Sequence, residues 1–140
     1  MAAGAAAYEQ AARLGNETSG QLARELRTHT RGEVLFSPAD RGRYATDASI
    51  YQVMPVGVFV PQSTDDVRAA LDICRTLRVP IVPRGGGTSQ CGQTVGAGLV
   101  IDHSRHMRRV LEVDVAERRA EVEPGLVLDH LNAQLKPHGL

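Results

Sequence analysis

The amino-acid sequence predicts an α/β domain of three mainly parallel strands, followed by the first hairpin of an antiparallel α+β subdomain. Three apolar runs, near 56–60, 80–83 and 99–102, are short, rich in β-branched residues and bounded by Pro, Gly or Asp, as buried strands are. A helical pattern separates the first two runs. Near 110–123 apolar residues alternate with charged ones, which is typical of a hairpin with one solvated face.

The first 31 residues are predicted to be a helical lead that precedes residues 32–140. Residues 1–18 are rich in Ala and weakly patterned, and Ser19 offers an N-cap to a short helix with apolar residues at helical spacing. A short strand is predicted at 34–36. The polar segment 41–52 is predicted to be irregular and to lie at the surface.

The first two runs and the helix between them predict a right-handed β-α-β unit. Ser63 or Thr64 caps the helix, and acidic residues follow in its first turn, where the helix dipole favours them. The apolar spacing includes Cys74, which is therefore predicted to be a core residue. Pro80 ends the helix, and the helical crossover makes the two strands parallel.

The alternating residues after 110 predict a hairpin, and a final amphipathic helix follows it. Val127, Leu128, Leu131 and Leu135 recur at helical spacing, and a proline and a glycine beyond residue 136 end the pattern. The hairpin and this helix are interpreted as the beginning of the second subdomain.

The composition excludes several classes of function. The 140 residues contain 16 basic and 16 acidic side chains, so the charge pattern of a nucleic-acid-binding protein is absent. No apolar run is long enough to span a membrane, and the N-terminus is a poor signal peptide. Cys74 and Cys91 form no metal-like or redox-like pair, and this favours a cytoplasmic protein. His103 and His106 lie near each other without a third ligand, so no metal site is predicted.

The functional prediction depends on residues 84–93, here called the glycine loop, which follow the second strand. Three consecutive glycines allow another molecule to approach the main chain, and backbone N–H groups in such loops bind anions, usually phosphate. A tight turn that closes the fold is the alternative. The dinucleotide fingerprint fails at Gln90, and the NTPase pattern has Gln93 in place of its lysine.

The segment Pro83-Arg-Gly-Gly-Gly-Thr-Ser-Gln-Cys-Gly-Gln93 resembles the FAD pyrophosphate loop of the PCMH-type (vanillyl-alcohol oxidase-like) FAD-linked oxidoreductases. Within that family the sequence is most similar to the branch of D-lactate dehydrogenase, glycolate oxidase and 2-hydroxyglutarate dehydrogenase. The resemblance covers residues 32–140. Further segments carry it: Tyr44-Ala-Thr-Asp-Ala-Ser49, Val58-Phe-Val-Pro61, Leu99-Val-Ile-Asp102, Val122-Glu-Pro-Gly125 and Leu135-Lys-Pro-His-Gly-Leu140.

The resemblance implies a set of cofactor contacts within the glycine loop. These are Arg84, Gly85, Gly86, Gly87, Thr88, Ser89, Gly92 and Gln93. The first six would surround the pyrophosphate, and the last two would continue toward the ribityl or flavin end. Arg84 either adds charge to the phosphates or forms a structural ion pair. Asp102 and Pro124-Gly125 are weaker candidates, and Asp47, Ser49 and Tyr51 either contact a ligand or cap turns.

The resemblance also implies how FAD is held. Thr88 stands where the glycine loop of some relatives carries a histidine bonded covalently to the flavin, so non-covalent FAD is expected.

The implied reaction is hydride transfer from a 2-hydroxy acid, such as lactate, glycolate or 2-hydroxyglutarate, to flavin N5. The match comprises the first subdomain and the opening of the second, so the second half and a substrate domain are expected to be missing, and the catalytic residues are unknown. Self-association or partner domains, among them iron–sulfur domains, are further expectations. The alternative function is a non-catalytic nucleotide-binding remnant or module.

Overall fold

The computed structural model describes residues 16–140, and the prediction for residues 1–15 lies outside them. Four helices and six strands follow one another along this part of the chain. They are α1 (Asn16–His29), β1 (Glu33–Leu35), α2 (Pro38–Arg43), β2 (Gly57–Val60), α3 (Thr64–Leu77), β3 (Ile81–Arg84), β4 (Leu99–Asp102), β5 (Val110–Asp114), β6 (Arg119–Val122) and α4 (Leu128–Leu135), followed by a 3₁₀ turn (Lys136–His138).

The main sheet has four strands in the order β1-β2-β4-β3. Strand β4 is parallel to both of its neighbours, with Leu99 paired to Gly57 on one side and to Ile81 on the other. The three predicted parallel strands are therefore confirmed, and β1 adds an antiparallel edge. Because β4 lies between β2 and β3, all three parallel strands end at the same edge of the sheet.

The main core lies between this sheet and the helix pair α1 and α3. Leu22 and Leu26 of α1 are fully buried against Phe59 of β2, and Cys74 of α3 lies in the same cluster. Burial raises the pKa of the Cys74 thiol to about 12, in agreement with its predicted role as a core residue. The predicted N-cap at Ser19 is wrong, because the helix already includes Asn16.

Asp66 connects the end of α1 to the beginning of α3. Its carboxylate accepts hydrogen bonds from the backbone N–H groups of Arg31 and Gln62, each at 2.9 Å. Ser63 caps α3 as predicted, because its hydroxyl accepts from the Asp66 N–H. Helix α1 thus packs on the sheet, whereas the boundary at residue 31 stays a prediction.

The segment between β1 and β2 is more ordered than the sequence indicates. Ser37 caps the short helix α2, since its side chain accepts from the Asp40 N–H, and Ala45 is fully buried. An isolated bridge then pairs Thr46 with Gln52. Within residues 41–52 the prediction of an irregular surface segment is therefore wrong for the end of α2, for buried Ala45 and for the Thr46–Gln52 bridge, whereas the other residues are irregular and none of them is buried.

The predicted hairpin and final helix are present, but their apolar side chains are exposed. Leu111 is 51% and Leu128 is 67% exposed, and Val122 and Val127 are also exposed. A bulge interrupts the pairing of β5 with β6 at Leu111. The hairpin has the solvated face that the alternation predicts, and its apolar residues Leu111 and Val122 are exposed as well.

Candidate functional site

The glycine loop leaves the carboxyl edge of the main sheet. Arg84, the last residue of β3, is paired with Asp102, the last residue of β4, so the loop starts beside the end of the central parallel strand. Ligands of open α/β sheets bind outside this edge. The structure brings all eight predicted contact residues together in this one loop, which continues to Gln93.

Two of the loop glycines face open space. An ideal Cβ built on Gly85 would have its nearest neighbour, the Pro124 carbonyl oxygen, at 3.9 Å. A Cβ on Gly86 would lie 3.6 Å from Cγ2 of Thr88, and neither glycine has a positive φ. The packing and backbone of the described residues therefore do not require glycine at these two positions.

The other two loop glycines are required by the protein itself. Gly87 has φ +68° and Gly92 has φ +77°, values that favour glycine. A Cβ on Gly87 would lie 2.9 Å from Cζ of Arg84, and one on Gly92 would lie 2.6 Å from Cδ2 of Tyr51. Both positions would be strained by any larger residue.

Arg84 bonds to the main chain around the loop. Its Nη1 donates to the carbonyl oxygens of Thr46 at 2.9 Å and Thr94 at 3.2 Å. Within the described residues its acceptors are carbonyls and no carboxylate is among them. The structural ion pair considered from the sequence is therefore not formed there.

The segment 44–53 forms one wall of the glycine loop. The Ala48 N–H donates to the Gly87 carbonyl at 3.1 Å, and the Thr94 hydroxyl donates to Asp47 Oδ2 at 2.9 Å. Hydrogen bonds from Ser49 and Thr94 lower the pKa of Asp47 to about 2, so it is ionised at neutral pH. The bond from the Ser49 N–H to Asp47 thus forms a local turn. The bond from Thr94 connects Asp47 to the residue that directly follows the glycine loop.

The second half of the glycine loop is closed by its own side chains. The Ser89 hydroxyl contacts the Gln93 side-chain oxygen, and the Gln93 N–H donates to the same hydroxyl at 3.2 Å. Thr88 and Gln93 are exposed. Their polar atoms therefore lie at the surface of the loop, where a ligand can reach them.

The connection after β6 also borders the glycine loop, at Gly85. The Gly125 N–H donates to the Met107 carbonyl at 2.8 Å, and a Cβ on Gly125 would lie 2.7 Å from that carbonyl oxygen. Gly125 is therefore required for packing, whereas Pro124 borders the open space at Gly85. Among residues 16–140 no three His, Cys, Asp or Glu side chains converge on a possible metal position.

This arrangement fits a pyrophosphate. The open faces of Gly85 and Gly86 leave their main chain accessible at the sheet edge, where a glycine-rich loop cradles phosphate. The hydroxyls of Thr88 and Ser89 lie next to this surface in the chain. The site thus offers donors without any carboxylate of the loop itself.

Solved structures share this fold. The chain superposes on alkyldihydroxyacetonephosphate synthase with a TM-score of 0.73 and 23% identity, covering 86% of this chain and 25% of that one. It superposes on p-cresol methylhydroxylase with a TM-score of 0.68 and 14% identity, covering 90% and 26%. The fold is the FAD-binding fold of the PCMH type.

The family follows from the sequence. Residues 55–140 match the family described as "FAD binding domain", and the chain belongs to this family. FAD is therefore its cofactor.

Curated relatives give higher identities over shorter parts of their own length. D-2-hydroxyglutarate dehydrogenase of Pseudomonas putida is 45% identical over 113 residues, which are 79% of this chain and 11% of that protein. Glycolate oxidase subunit GlcD of Bacillus subtilis is 43% identical over 108 residues, which are 73% of this chain and 23% of that protein. The chain thus spans between about a tenth and a quarter of these relatives.

Within residues 16–140, no helix is both long enough and apolar enough to cross a lipid bilayer.

Proposed function

We propose that residues 32–140 form the N-terminal portion of the FAD domain of a flavin-dependent oxidoreductase acting on a 2-hydroxy acid. Two kinds of relatives support this class of substrate, since one is named for 2-hydroxyglutarate and the other for glycolate. Lactate belongs to the same class. When bound, FAD supplies the hydride acceptor, and the residues of this chain bind and orient it.

The observation that carries the proposal is the open face of Gly85 and Gly86. Glycine at a position where the protein leaves room for a Cβ is explained by a ligand that occupies this room. The main-chain N–H groups from Gly85 to Ser89 would hold the pyrophosphate, and Gly92 and Gln93 would continue the contact toward the ribityl chain. Arg84 begins the same loop, and its Nη1 donates to main-chain carbonyls beside it.

The flavin is proposed to be held without a covalent bond. Thr88 is exposed, and a threonine hydroxyl without an activating base is a poor nucleophile. Cys91 is an exposed free thiol three residues after Thr88. If the flavin proves to be bound covalently, Cys91 is the first side chain to examine. Acid precipitation of the yellow protein separates the two cases, since flavin that stays in the washed pellet contradicts non-covalent binding.

The test compares two glycines that both have room for a side chain. Gly86→Val would fill the ligand space and should weaken FAD binding at least about tenfold, whereas Gly42→Val, in α2 with nothing within 4 Å, should leave it unchanged. FAD binding is measured by fluorescence titration and folding by circular dichroism. Equal FAD affinity in the two variants would contradict the proposal.

Reduction of bound FAD by 2-hydroxy acids then tests the activity. Flavin bleaching by lactate, glycolate or 2-hydroxyglutarate, measured with the intact enzyme that contains this chain, supports the oxidoreductase. FAD binding without bleaching by any of them would favour the alternative, a nucleotide-binding module.

The exposed apolar side chains of the hairpin and α4 support self-association or docking of a partner domain. Iron–sulfur domains are among these proposed partners. The two thiols, Cys74 and Cys91, are unpaired, which supports a cytoplasmic location. Sizing chromatography over a range of protein concentrations tests the first point.

A further inference from the structure

Arg84 is committed to the main chain around the glycine loop. Three carbonyl oxygens lie within hydrogen-bond distance of its Nη1, those of Thr46 at 2.9 Å, Thr94 at 3.2 Å and Tyr44 at 3.5 Å. Nη1 has two protons, so these acceptors exhaust its capacity. Two of the carbonyls belong to the wall segment 44–53, and the third belongs to the residue that follows the loop.

The guanidinium also lies directly against the loop. The positive φ of Gly87 brings its main chain so close that a Cβ there would lie 2.9 Å from Cζ of Arg84. The Gly87 carbonyl in turn accepts from Ala48, which belongs to the wall segment. Arg84, at the beginning of the loop, therefore contacts Gly87 in its turn and Thr94 directly after its end. It also bonds to the wall segment 44–53.

The Tyr44 ring also lies against the guanidinium. Cζ of Arg84 lies 5.3 Å from the centroid of the Tyr44 ring, a distance at which a cation is attracted by the ring. The Tyr44 hydroxyl donates to Oδ2 of Asp102 at 2.7 Å. Asp102 is buried at the end of the central strand. Tyr44 is therefore fixed to the sheet through its hydroxyl, and its ring in turn restricts where the Arg84 guanidinium can lie.

Tyr44 stays a hydrogen-bond donor at every physiological pH. Burial, together with the hydrogen bond to Asp102, raises the pKa of its hydroxyl to about 12. The second carboxylate oxygen of Asp102 accepts from the Ser104 N–H at 2.8 Å, which fixes the carboxylate in the turn after β4.

We propose that Arg84, Tyr44 and Asp102 are positioning residues, which set the conformation of the glycine loop before FAD binds. Arg84 acts through the directional bonds of its Nη1 to main-chain carbonyls, and its effect on FAD affinity does not come from its charge. This inference rests on the proposed function, because the loop is assigned to FAD there. Arg84 then affects FAD affinity through the conformation of the glycine loop. A lysine keeps the charge but cannot make the same directional bonds, so it does not replace Arg84.

The experiment compares Arg84→Lys and Arg84→Gln, with Arg68→Lys on the exposed face of α3 as the matched control. Hydrogen exchange of residues 85–94 is measured without FAD. Both Arg84 variants should exchange about tenfold faster there than the control, because the bonds that close the loop are lost. Unchanged exchange would overturn the inference whatever happens to FAD binding.

FAD titration of the same variants separates shape from charge. Arg84→Lys and Arg84→Gln should both raise the Kd for FAD about tenfold, the effect of one or two lost charge-assisted hydrogen bonds. If Lys keeps the affinity within about twofold while Gln loses it, the charge binds the phosphates and the inference is overturned.

Two further variants keep the outcomes distinct. Should Arg84→Lys not fold, Tyr44→Phe removes only the hydroxyl and should also accelerate loop exchange, and exchange equal to the control would again overturn the inference. Gly86→Val tests the proposed function alone. If it binds FAD normally, the site assignment fails, whereas the exchange measurement still decides the role of Arg84.

Discussion

The sheet unit, residues 16–107, and the hairpin–helix unit, residues 108–140, differ in how they bury their apolar side chains. In the sheet unit, large side chains such as Phe59 and Leu99 are fully buried between sheet and helices. In the hairpin–helix unit, Leu111 and Leu128 are mostly exposed. The sheet unit is therefore stable through its own core, and the hairpin–helix unit depends on local bonds or on a surface that covers it.

The two units are connected by a main-chain hydrogen bond, in which the Gly125 N–H donates to the Met107 carbonyl oxygen at 2.8 Å. Within the hairpin–helix unit Glu123 is buried, and its carboxylate accepts from the Arg109 N–H at 2.8 Å and from the Arg109 guanidinium at 2.7 Å. These bonds lower the pKa of Glu123. The glycine loop belongs to the sheet unit and approaches the other unit at Pro124, whose carbonyl oxygen would lie 3.9 Å from a Cβ on Gly85. The comparison teaches that the stable unit provides the proposed phosphate site, whereas the less buried unit reaches it at Pro124.

The largest expected effect is in the core of the sheet unit. Phe59→Ala removes a fully buried ring and should lower the free energy of unfolding by about 3–5 kcal/mol. The matched change Leu111→Ala in the exposed hairpin should cost less than about 0.5 kcal/mol. Urea denaturation of both variants checks this. Similar losses would contradict the difference between the two units.

A smaller effect is expected where the sheet unit supports the loop. Gly87→Ala forces a Cβ into the left-handed region and against Arg84, and should cost at least about 1–2 kcal/mol. Gly86→Ala, one residue earlier, should leave stability unchanged, because its Cβ has room. Thermal unfolding without FAD compares the two. Equal melting temperatures would show that both glycines are free of structural constraint.

The bridge from Asp47 to the loop should make part of the stability depend on pH. The pKa of Asp47 in the folded state is about 2, below its usual 3.8. A lowered carboxyl pKa contributes stability that is present above pH 3.8 and is lost as the pH falls toward 2. The stability difference between the wild type and Asp47→Asn should therefore shrink in this window, as urea titrations at several pH values would show. If the difference in the free energy of unfolding between the wild type and Asp47→Asn does not change with pH, the proposed contribution of ionised Asp47 is contradicted.

The smallest expected change in stability is on the exposed face of the hairpin–helix unit. The double variant Leu111→Ser and Leu128→Ser should change the free energy of unfolding by less than about 0.5 kcal/mol. It should nevertheless reduce concentration-dependent association, since both side chains are exposed. Sizing chromatography with light scattering measures this. If association is not reduced, the contact between copies does not involve Leu111 and Leu128, and the prediction is contradicted.

The sequence predicted what depends on local patterns. The short apolar runs predicted the parallel strands, and the helical spacing from Val67 to Leu77 predicted the face of α3 that carries Cys74. The glycine loop was predicted as a site because three adjacent glycines and two hydroxyls are a local signal. Each of these features is contained in about fifteen consecutive residues or fewer.

The contacts that sequence analysis missed join distant parts of the chain. Tyr44 and Asp102, which are 58 residues apart, meet only because β4 lies in the middle of the sheet, and the strand order was not predicted. Tyr51 likewise packs on Gly92, a contact between distant residues that only the folded chain brings together. The surface that would cover the apolar side of the hairpin was not predicted, because alternation reveals an apolar face without revealing what covers it.

The central claim is that the open glycines of the sheet unit hold the pyrophosphate of FAD, and amide NMR tests it most directly. Adding FAD to the labelled protein should shift the N–H signals of residues 85–89 most strongly. FMN, which lacks the pyrophosphate and the adenosine, should shift them much less. The Gly20 amide in α1 is an internal control. Shifts confined to other regions, or equal shifts with FMN, would contradict the account.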